Sequence, residues 1–181
     1  MIKKTYRKDD EFYTPRKWVE HIIDHLENTN TLTKDMVIWC PFDLVESNFP
    51  SVLRERGYKV INSHINTGQD FYTYTPREHY DIIISNPPFA GKTQLLERLI
   101  SLGEDVKWAL IFPNHFFLTQ GFMRQLNNLN NLQFISFEKR MYFIKDYALD
   151  GIKPKTQPLY QSLVLTNNLY LPKFFTVLRG V

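Results

Sequence analysis

The segment Tyr80-Asp81-Ile82-Ile83-Ile84 is the clearest strand pattern in the chain, and it runs through Ser85 into Asn86-Pro87-Pro88-Phe89. The apolar run predicts a buried strand, and the two prolines hold φ near a single value and so fix the shape of the turn that follows. A helical pattern begins shortly afterwards, at Thr93. We therefore predict a strand, a rigid turn and a helix in direct succession, with Asn86 at the carboxyl end of the strand.

Short apolar runs alternate with amphipathic stretches on both sides of this segment. The alternation is typical of a mostly parallel sheet covered by helices, and it predicts an α/β fold. Further strands are predicted at 37–39, 58–61, 70–71, 108–112, 132–137 and 162–165. Helices are predicted at 16–26 and 93–101, and a third passes through Val52 and Leu53, with Ser47 or Asn48 as its cap and Gly57 at its end. The connection at 138–160 is long, and long loops in compact domains tend to be functional or mobile.

The composition predicts one compact domain. The chain has 181 residues and no repeat or low-complexity segment, and we expect residues 1–10 to form a flexible tail. The single cysteine, Cys40, lies in an apolar run, which indicates a buried thiol and a reducing, cytoplasmic setting. No stretch has the length of a signal peptide or a membrane span, so we expect a soluble protein with no membrane partner. The net charge of +3 permits a polyanionic partner without requiring one.

The turn at Asn86-Pro87-Pro88-Phe89 suits chemistry on an unreactive amino group. Ligands of open parallel sheets bind beyond the carboxyl ends of the strands, where this turn is predicted. The exocyclic nitrogen of adenine is a poor nucleophile because its lone pair is delocalised into the ring. The Asn86 side-chain oxygen and the Pro87 carbonyl can each accept one amino hydrogen, and Phe89 can stack on a base flipped out of its duplex. The alternative is an ordinary Asn-Pro turn with Phe89 in the core.

Three further motifs extend this pattern into a resemblance to a known family. They are Glu11-Phe12-Tyr13-Thr14-Pro15, Trp39-Cys40-Pro41-Phe42-Asp43 and Gly68-Gln69-Asp70-Phe71. With the Asn-Pro-Pro-Phe turn, their order and spacing resemble the DNA adenine-N6 methyltransferases, particularly the compact kind common in phages and restriction-modification systems. The resemblance implies a three-layer Rossmann-like methyltransferase fold, with a seven-stranded mixed sheet whose final strand is antiparallel. It also implies a cytoplasmic enzyme, of a kind that phages encode, that uses S-adenosylmethionine as its cofactor.

The same resemblance implies a role for individual residues. Phe12 and Thr14 would lie near the methionine end of the cofactor, and Pro41, Phe42 and Asp43 beside it. Asp70 and Phe71 would contact its adenine. As alternatives, Thr14 can belong to the cap of the following helix, Asp43 can be an N-cap, and Asp70 can be a turn carboxylate.

The chain departs from the family pattern at two positions of the cofactor site. Cys40 stands where the first-strand motif usually has an acidic residue, and no glycine-rich turn follows it. His64 stands where an acidic residue usually binds the ribose hydroxyls, although an imidazole can also form a hydrogen bond with a hydroxyl. Either a variant subfamily with a Pro-Phe-Asp turn or a degenerate cofactor site would produce this sequence.

Target recognition has to come from the late loop or from a partner, because too few residues remain for a separate recognition domain. The loop mixes basic and aromatic residues, a pattern that suits phosphate contact with base stacking but equally suits a solvated loop with anchoring aromatics. The expected partner is double-stranded DNA with a flipped adenine, with a specificity partner or self-association as further possibilities. The candidate substrate-binding residues are Phe89, Lys139, Arg140, Tyr142 and Phe143.

Two other patterns in the sequence resemble known binding motifs only in part. His21 and His25 have a spacing that can hold zinc but lack the accompanying glutamate, so no metal is expected, and Gly91-Lys92-Thr93 resembles only the tail of a phosphate-binding loop. Two other functions remain open. One is methylation of a glutamine amide in a protein, and the other is a non-catalytic nucleic-acid or protein-binding module that retains the fold.

Overall fold

The computed structural model describes residues 12–154 and 160–180 of the chain. The expected tail at residues 1–10 and Glu11 of the first cofactor motif lie outside the described residues. None of the helices in the described ranges is long and apolar enough to cross a membrane.

Strands and helices alternate along the described chain, as the sequence pattern predicted. The α-helices are α1 (Arg16–Asn28), α2 (Asn48–Glu55), α3 (Lys92–Ser101) and α4 (Gln120–Gln125). The strands are β1 (Val37–Cys40), β2 (Lys59–Asn62), β3 (Ile82–Ser85), β4 (Trp108–Pro113), β5 (Gln133–Phe137), β6 (Ser162–Asn167) and β7 (Phe175–Leu178).

The strands form one mixed sheet in the order β2-β1-β3-β4-β6-β5-β7. The strands β2, β1, β3 and β4 are parallel, β6 is antiparallel to its neighbours β4 and β5, and β7 is parallel to β5. The predicted architecture is confirmed: a three-layer Rossmann-like α/β fold, with a seven-stranded mixed sheet that contains one antiparallel strand.

The central strands are apolar on both faces because helices cover both faces. In β3, Ile82 and Ile84 pack in one core with Trp18 and Ile22 of α1. The intervening Ile83 points to the opposite face and packs in a second core, whose helical members include Leu95, Leu96 and Leu99 of α3 and Phe122 of α4. Side chains alternate between the faces of a strand, so an unbroken apolar run requires a helix layer on each side.

Two strand predictions were wrong. Residues 70–71 form a turn instead of a strand, with the backbone N–H groups of Thr73 and Tyr74 donating to the Asp70 carbonyl at 2.9 and 2.7 Å. The seventh strand is β7, at the far edge of the sheet, and it was not predicted from the sequence. The last strand of the chain is therefore parallel, whereas the predicted strand at 162–165 is the antiparallel one.

Candidate functional site

A pocket opens at the carboxyl ends of β2, β1 and β3. Because β1 lies between β2 and β3, the chain leaves β1 on one side for β2 and returns on the other for β3, and open α/β sheets bind ligands at such a switch point. The open space amounts to about 590 Å³ when the solvent-filled space at its mouth is included. The lining contains these residues that were predicted from the sequence: Phe12, Thr14, Phe42, Asp43, His64, Asn86, Pro87, Pro88 and Phe89.

Asn86 has an oriented side-chain amide. Its Nδ2 donates to the Phe12 carbonyl at 3.1 Å, so the turn after β3 is tied to the segment that precedes α1. Its Oδ1 is buried and has no hydrogen-bond partner among the described residues. A buried polar atom without a partner is rare in folded proteins and costs free energy. The Asn86 oxygen is therefore an acceptor that a ligand in the pocket can use.

Thr14 provides a second polar atom of this kind in the pocket wall. Its side chain is only 4% exposed, and its Oγ1 has no partner in the part of the chain that the structure describes. The backbone around it is fixed, since the Thr14 carbonyl accepts from Asn48 Nδ2 at 2.9 Å. Thr14 Oγ1 and Asn86 Oδ1 are thus two polar atoms of pocket-lining residues that have no partner among the described residues.

The Pro87-Pro88 turn presents its carbonyl oxygens to a lysine. Lys92 Nζ donates to the Pro88 carbonyl at 2.7 Å and to the Pro87 carbonyl at 3.3 Å. The ring of Phe89, which follows the turn, is stacked with Phe12 at a centroid distance of 6.1 Å and meets Phe143 edge-on at 5.2 Å. The Lys92 ammonium group therefore contacts the carbonyl oxygens of the turn, and the rings of Phe12 and Phe143 contact Phe89.

Asp43 places a buried carboxyl group at the end of β1. Its side chain is 7% exposed and accepts hydrogen bonds from the Ser85 and Ser47 hydroxyls. Burial raises the pKa of Asp43 to about 7, although both hydroxyl groups oppose this increase. This motif therefore has a buried carboxyl group at position 43 and none at position 40. Cys40 itself is fully buried, and its thiol pKa is raised well above the usual value by that burial.

His64 lines the pocket beyond β2. Its Nδ1 accepts from the backbone N–H of Asn66 at 3.1 Å, which caps a short 3₁₀ turn at Ile65–Thr67. A neutral imidazole with Nδ1 as an acceptor carries its proton on Nε2. In the neutral ring, the N–H group of His64 is therefore the one at Nε2.

The predicted adenine-contact residues do not line the pocket. Asp70 Oδ1 accepts from the backbone N–H of Tyr72 at 3.1 Å, which is the turn role left open as an alternative. Phe71 is 2% exposed and lies behind Phe42, with a centroid distance of 4.8 Å. Pro41 is also buried next to the pocket without lining it. Phe71 therefore supports the pocket wall through Phe42.

The predicted substrate-binding residues other than Phe89 lie outside the pocket lining as well. Lys139 and Arg140 are exposed just after the carboxyl end of β5. Tyr142 and Phe143 are buried, Tyr142 against Trp18 at a centroid distance of 6.0 Å and Phe143 against Phe89. Burial leaves neither Tyr142 nor Phe143 a free ring face for stacking on a base.

The late loop supplies a pocket residue that the sequence did not single out. Tyr147 lines the pocket and lies 4.4 Å from the Tyr13 ring, between centroids. Backbone hydrogen bonds join Tyr13 and Ile144 in both directions, at 2.8 and 3.0 Å. The signals for this in the sequence were the unusual length of the 138–160 connection and its mixture of basic and aromatic residues, which includes Tyr147. The other lining residues without a predicted role are Tyr13, Asn48, Phe49 and Ile65.

No protein-family model matches the chain, and no curated protein matches it. Among solved structures, it is similar to the 23S rRNA methyltransferase ErmE, with a TM-score of 0.47 and 14% identity over 94% of this chain and 73% of that one. It is also similar to TrmN from Thermus thermophilus, with a TM-score of 0.44 and 12% identity over 80% of this chain and 47% of that one. At these identities the similarity concerns the fold alone.

Proposed function

We propose that this chain is an S-adenosylmethionine-dependent methyltransferase that acts on the exocyclic amino group of adenine in DNA. The observation that carries the proposal is the side-chain oxygen of Asn86, which is buried in the pocket wall and has no partner among the described residues. An amino group is the natural donor for such an oxygen. Because Nδ2 is bound to the Phe12 carbonyl, the amide is held with this oxygen as the available acceptor.

Two acceptors at fixed positions would prepare the amino group for reaction. Asn86 Oδ1 would accept one amino hydrogen and the Pro87 carbonyl the other, which draws the nitrogen towards a tetrahedral shape and directs its lone pair. A carbonyl oxygen has two lone pairs, so the bond from Lys92 at 3.3 Å leaves Pro87 able to accept again. This is preorganised electrostatic catalysis and requires no general base in the pocket.

The aromatic residues of the pocket suit a flipped base. Phe12, Phe89 and Tyr147 all line it and are held by ring contacts with other residues. An aromatic face partly offsets the stacking that a base loses when it leaves the duplex. Duplex DNA with a flipped adenine is therefore the proposed partner. Sequence specificity would come from surface loops, a second protein or self-association.

The remaining lining residues fit a cofactor that carries positive charge and an adenosine. Asp43 would hold a cationic group, Thr14 Oγ1 would bind the polar methionine end, and His64 would contact a ribose hydroxyl. When bound, S-adenosylmethionine supplies an electrophilic methyl group. The chain's own residues would orient the acceptor nitrogen towards that methyl group and exclude water from it.

The decisive experiment is radiolabelled methyl transfer to duplex DNA of varied sequence, with RNA and protein acceptors in parallel. Asn86→Ala should lower the rate by on the order of 10²-fold or more, because one of two acceptors is lost. Binding of S-adenosylmethionine, measured by calorimetry, should change little. Asn127→Ala is the matched control, since Asn127 is exposed and outside the pocket.

Other results would point to other functions. Transfer to a protein amide without transfer to DNA would favour a glutamine methyltransferase, and transfer to RNA alone would change the substrate. No binding of S-adenosylmethionine at millimolar concentration would overturn the enzyme proposal and favour a binding module with this fold. Full activity of Asn86→Ala would refute the role given to Asn86.

A further inference from the structure

Lys92 is a buried cation beneath the Pro87-Pro88 turn. Its side chain is 6% exposed, and its Nζ donates to the Pro88 and Pro87 carbonyls. The same nitrogen lies 5.0 Å from the centroid of the Phe89 ring and 5.1 Å from that of Phe112. The ammonium group thus contacts three consecutive residues of the turn without lining the pocket itself.

This position is unfavourable for a lysine on general grounds. Burial removes the ammonium group from water, which costs free energy even when hydrogen bonds replace part of the hydration. Lys92 is also the first residue of α3, and the positive end of a helix dipole disfavours a cation there. Helix stability alone would select an uncharged or acidic residue. A buried charge that opposes local stability, next to a polar pocket, is a candidate for a functional role.

The turn itself needs an external donor. Neither Pro87 nor Pro88 has a backbone N–H, so these residues cannot close the turn with hydrogen bonds of their own. The N-cap of α3, Gly91, has φ of +71° and provides no side-chain cap. The ammonium group supplies the missing donor and restrains the orientation of two successive peptide planes.

We propose that Lys92 is a positioning residue for the target amino group, an inference that rests on the proposed function. By holding both carbonyls, Lys92 fixes the direction of the Pro87 oxygen relative to Asn86 Oδ1, and by contacting the Phe89 ring it holds the stacking surface in place. Lys92 acts through Pro87, Pro88 and Phe89 and does not touch the base. The two acceptors need a fixed separation, because a small displacement of either one reduces the fraction of well-oriented complexes.

The kinetic test compares Lys92→Met and Lys92→Arg with the wild-type chain. Lys92→Met keeps the length of the side chain and removes the charge and the donors, so kcat should fall on the order of 10²-fold. The Kd for S-adenosylmethionine should stay unchanged, because Lys92 lies outside the pocket lining. Lys92→Arg keeps charge and donors and should recover part of the lost kcat. Lys107→Met, at an exposed position before β4, is the control for loss of a lysine.

A second measurement, of carbonyl ¹³C chemical shifts, detects a change in the turn independently of enzyme activity. In protein labelled with carbonyl ¹³C at proline, Lys92→Met should shift the resonances of Pro87 and Pro88 and leave those of the chain's other eight prolines nearly unchanged, since the chain has ten in all. A merely structural role for Lys92 would instead lower thermal stability, cofactor affinity and kcat together.

Each result decides between the two proposals. Suppose that the wild-type chain transfers methyl groups and that Lys92→Met folds. If Lys92→Met then has wild-type kcat, or if its Pro87 and Pro88 resonances are unshifted, the role of Lys92 is overturned and the proposed function stands. If the wild-type chain transfers none, the proposed function fails, and the positioning role fails with it. If Lys92→Met does not fold, both measurements are made on Lys92→Gln, which also removes the charge, and wild-type kcat with unshifted Pro87 and Pro88 resonances would overturn the role.

Discussion

Asn86 joins two parts of the site through the two ends of one amide. Its Nδ2 donates to the Phe12 carbonyl at 3.1 Å, while its Oδ1 is buried and has no partner among the described residues. Phe12 does not depend on this bond alone, because the adjacent Tyr13 pairs with Ile144 through two backbone hydrogen bonds. Loss of the Asn86 side chain should therefore remove the acceptor without displacing the segment that would contact the cofactor. This separation is the physical basis for expecting Asn86→Ala to affect transfer far more than cofactor binding.

Asp43 should make the stability of the protein depend on pH. Burial raises the pKa of Asp43 from 3.8 to about 7, so the folded chain binds this proton more tightly than the unfolded chain does. The contribution of Asp43 to the free energy of unfolding is therefore greatest below its unfolded pKa of 3.8. It falls as pH rises towards the folded pKa of about 7 and stays constant above that value. The total change is at most about 4 kcal/mol.

Urea unfolding at about pH 5 and about pH 8 measures this effect in the wild-type chain and in Asp43→Asn. The wild type should lose more unfolding free energy between these conditions than Asp43→Asn, because the amide does not titrate. A bound cation would offset the cost of the charged carboxylate, so S-adenosylmethionine should stabilise the wild type more at the higher pH. Equal pH dependence in both chains would exclude Asp43 as its source.

At the scale of elements, the fold was predictable where one pattern is strong. The run from Ile82 to Ile84 identified β3 because a fully buried strand leaves an unbroken apolar signal. Residues 70–71 misled because Phe71 is apolar and buried, as a strand residue would be, but its backbone follows the turn set by Asp70. β7 gave little signal because Phe175 and Val177 are about half exposed at the sheet edge, so its pattern lacks the usual contrast between the two faces.

The late loop is an element whose role could not be predicted from its own residues. Asp150 accepts from the backbone N–H of Arg16, the first residue of α1, at 2.9 Å and from Asn48 Nδ2 at 2.7 Å. Arg16 and Asp150 are separated by 134 positions, and no local pattern in a single sequence reports such a pair. These bonds hold the loop, the start of α1 and the start of α2 together beside the pocket.

Removal of this contact should loosen the cofactor side of the site. Asp150→Ala should lower the unfolding free energy by about 1–2 kcal/mol, as for other losses of a helix-capping carboxylate. It should also weaken binding of S-adenosylmethionine, since Thr14 and Tyr147 lie on the segments that Asp150 joins. Denaturant unfolding and calorimetry test both effects. Asp105→Ala is the control, at an exposed position before the amino end of β4, and unchanged cofactor affinity in Asp150→Ala would contradict the expectation.

At the scale of the whole molecule, the sheet explains why distant motifs meet. The motifs after β1, β2 and β3 converge because parallel neighbouring strands end at the same edge, and this convergence could be predicted from the sequence once the strands were identified. The proposed contacts of Lys139 and Arg140 with DNA stay a prediction, because they depend on a partner. Lys139 and Arg140 lie just after the carboxyl end of β5. Because β5 runs in the same direction as β3, they lie at the same end of the sheet as the pocket.

The direction of the strands gives the last prediction, which concerns duplex binding. The double variant Lys139→Gln with Arg140→Gln removes two positive charges from the end of the sheet where the pocket lies. The double variant Lys59→Gln with Lys107→Gln removes two exposed charges from the opposite end of the sheet, at the amino ends of β2 and β4. If DNA binds over the pocket, the first pair should weaken affinity and reduce the slope of log K against log salt by about 2, since each phosphate contact contributes about 0.9. The second pair, with the same net charge, should change the slope little. Fluorescence anisotropy over a range of salt concentrations measures both, and equal effects of the two pairs would mean that net charge, and not the end of the sheet where the pocket lies, governs association with DNA.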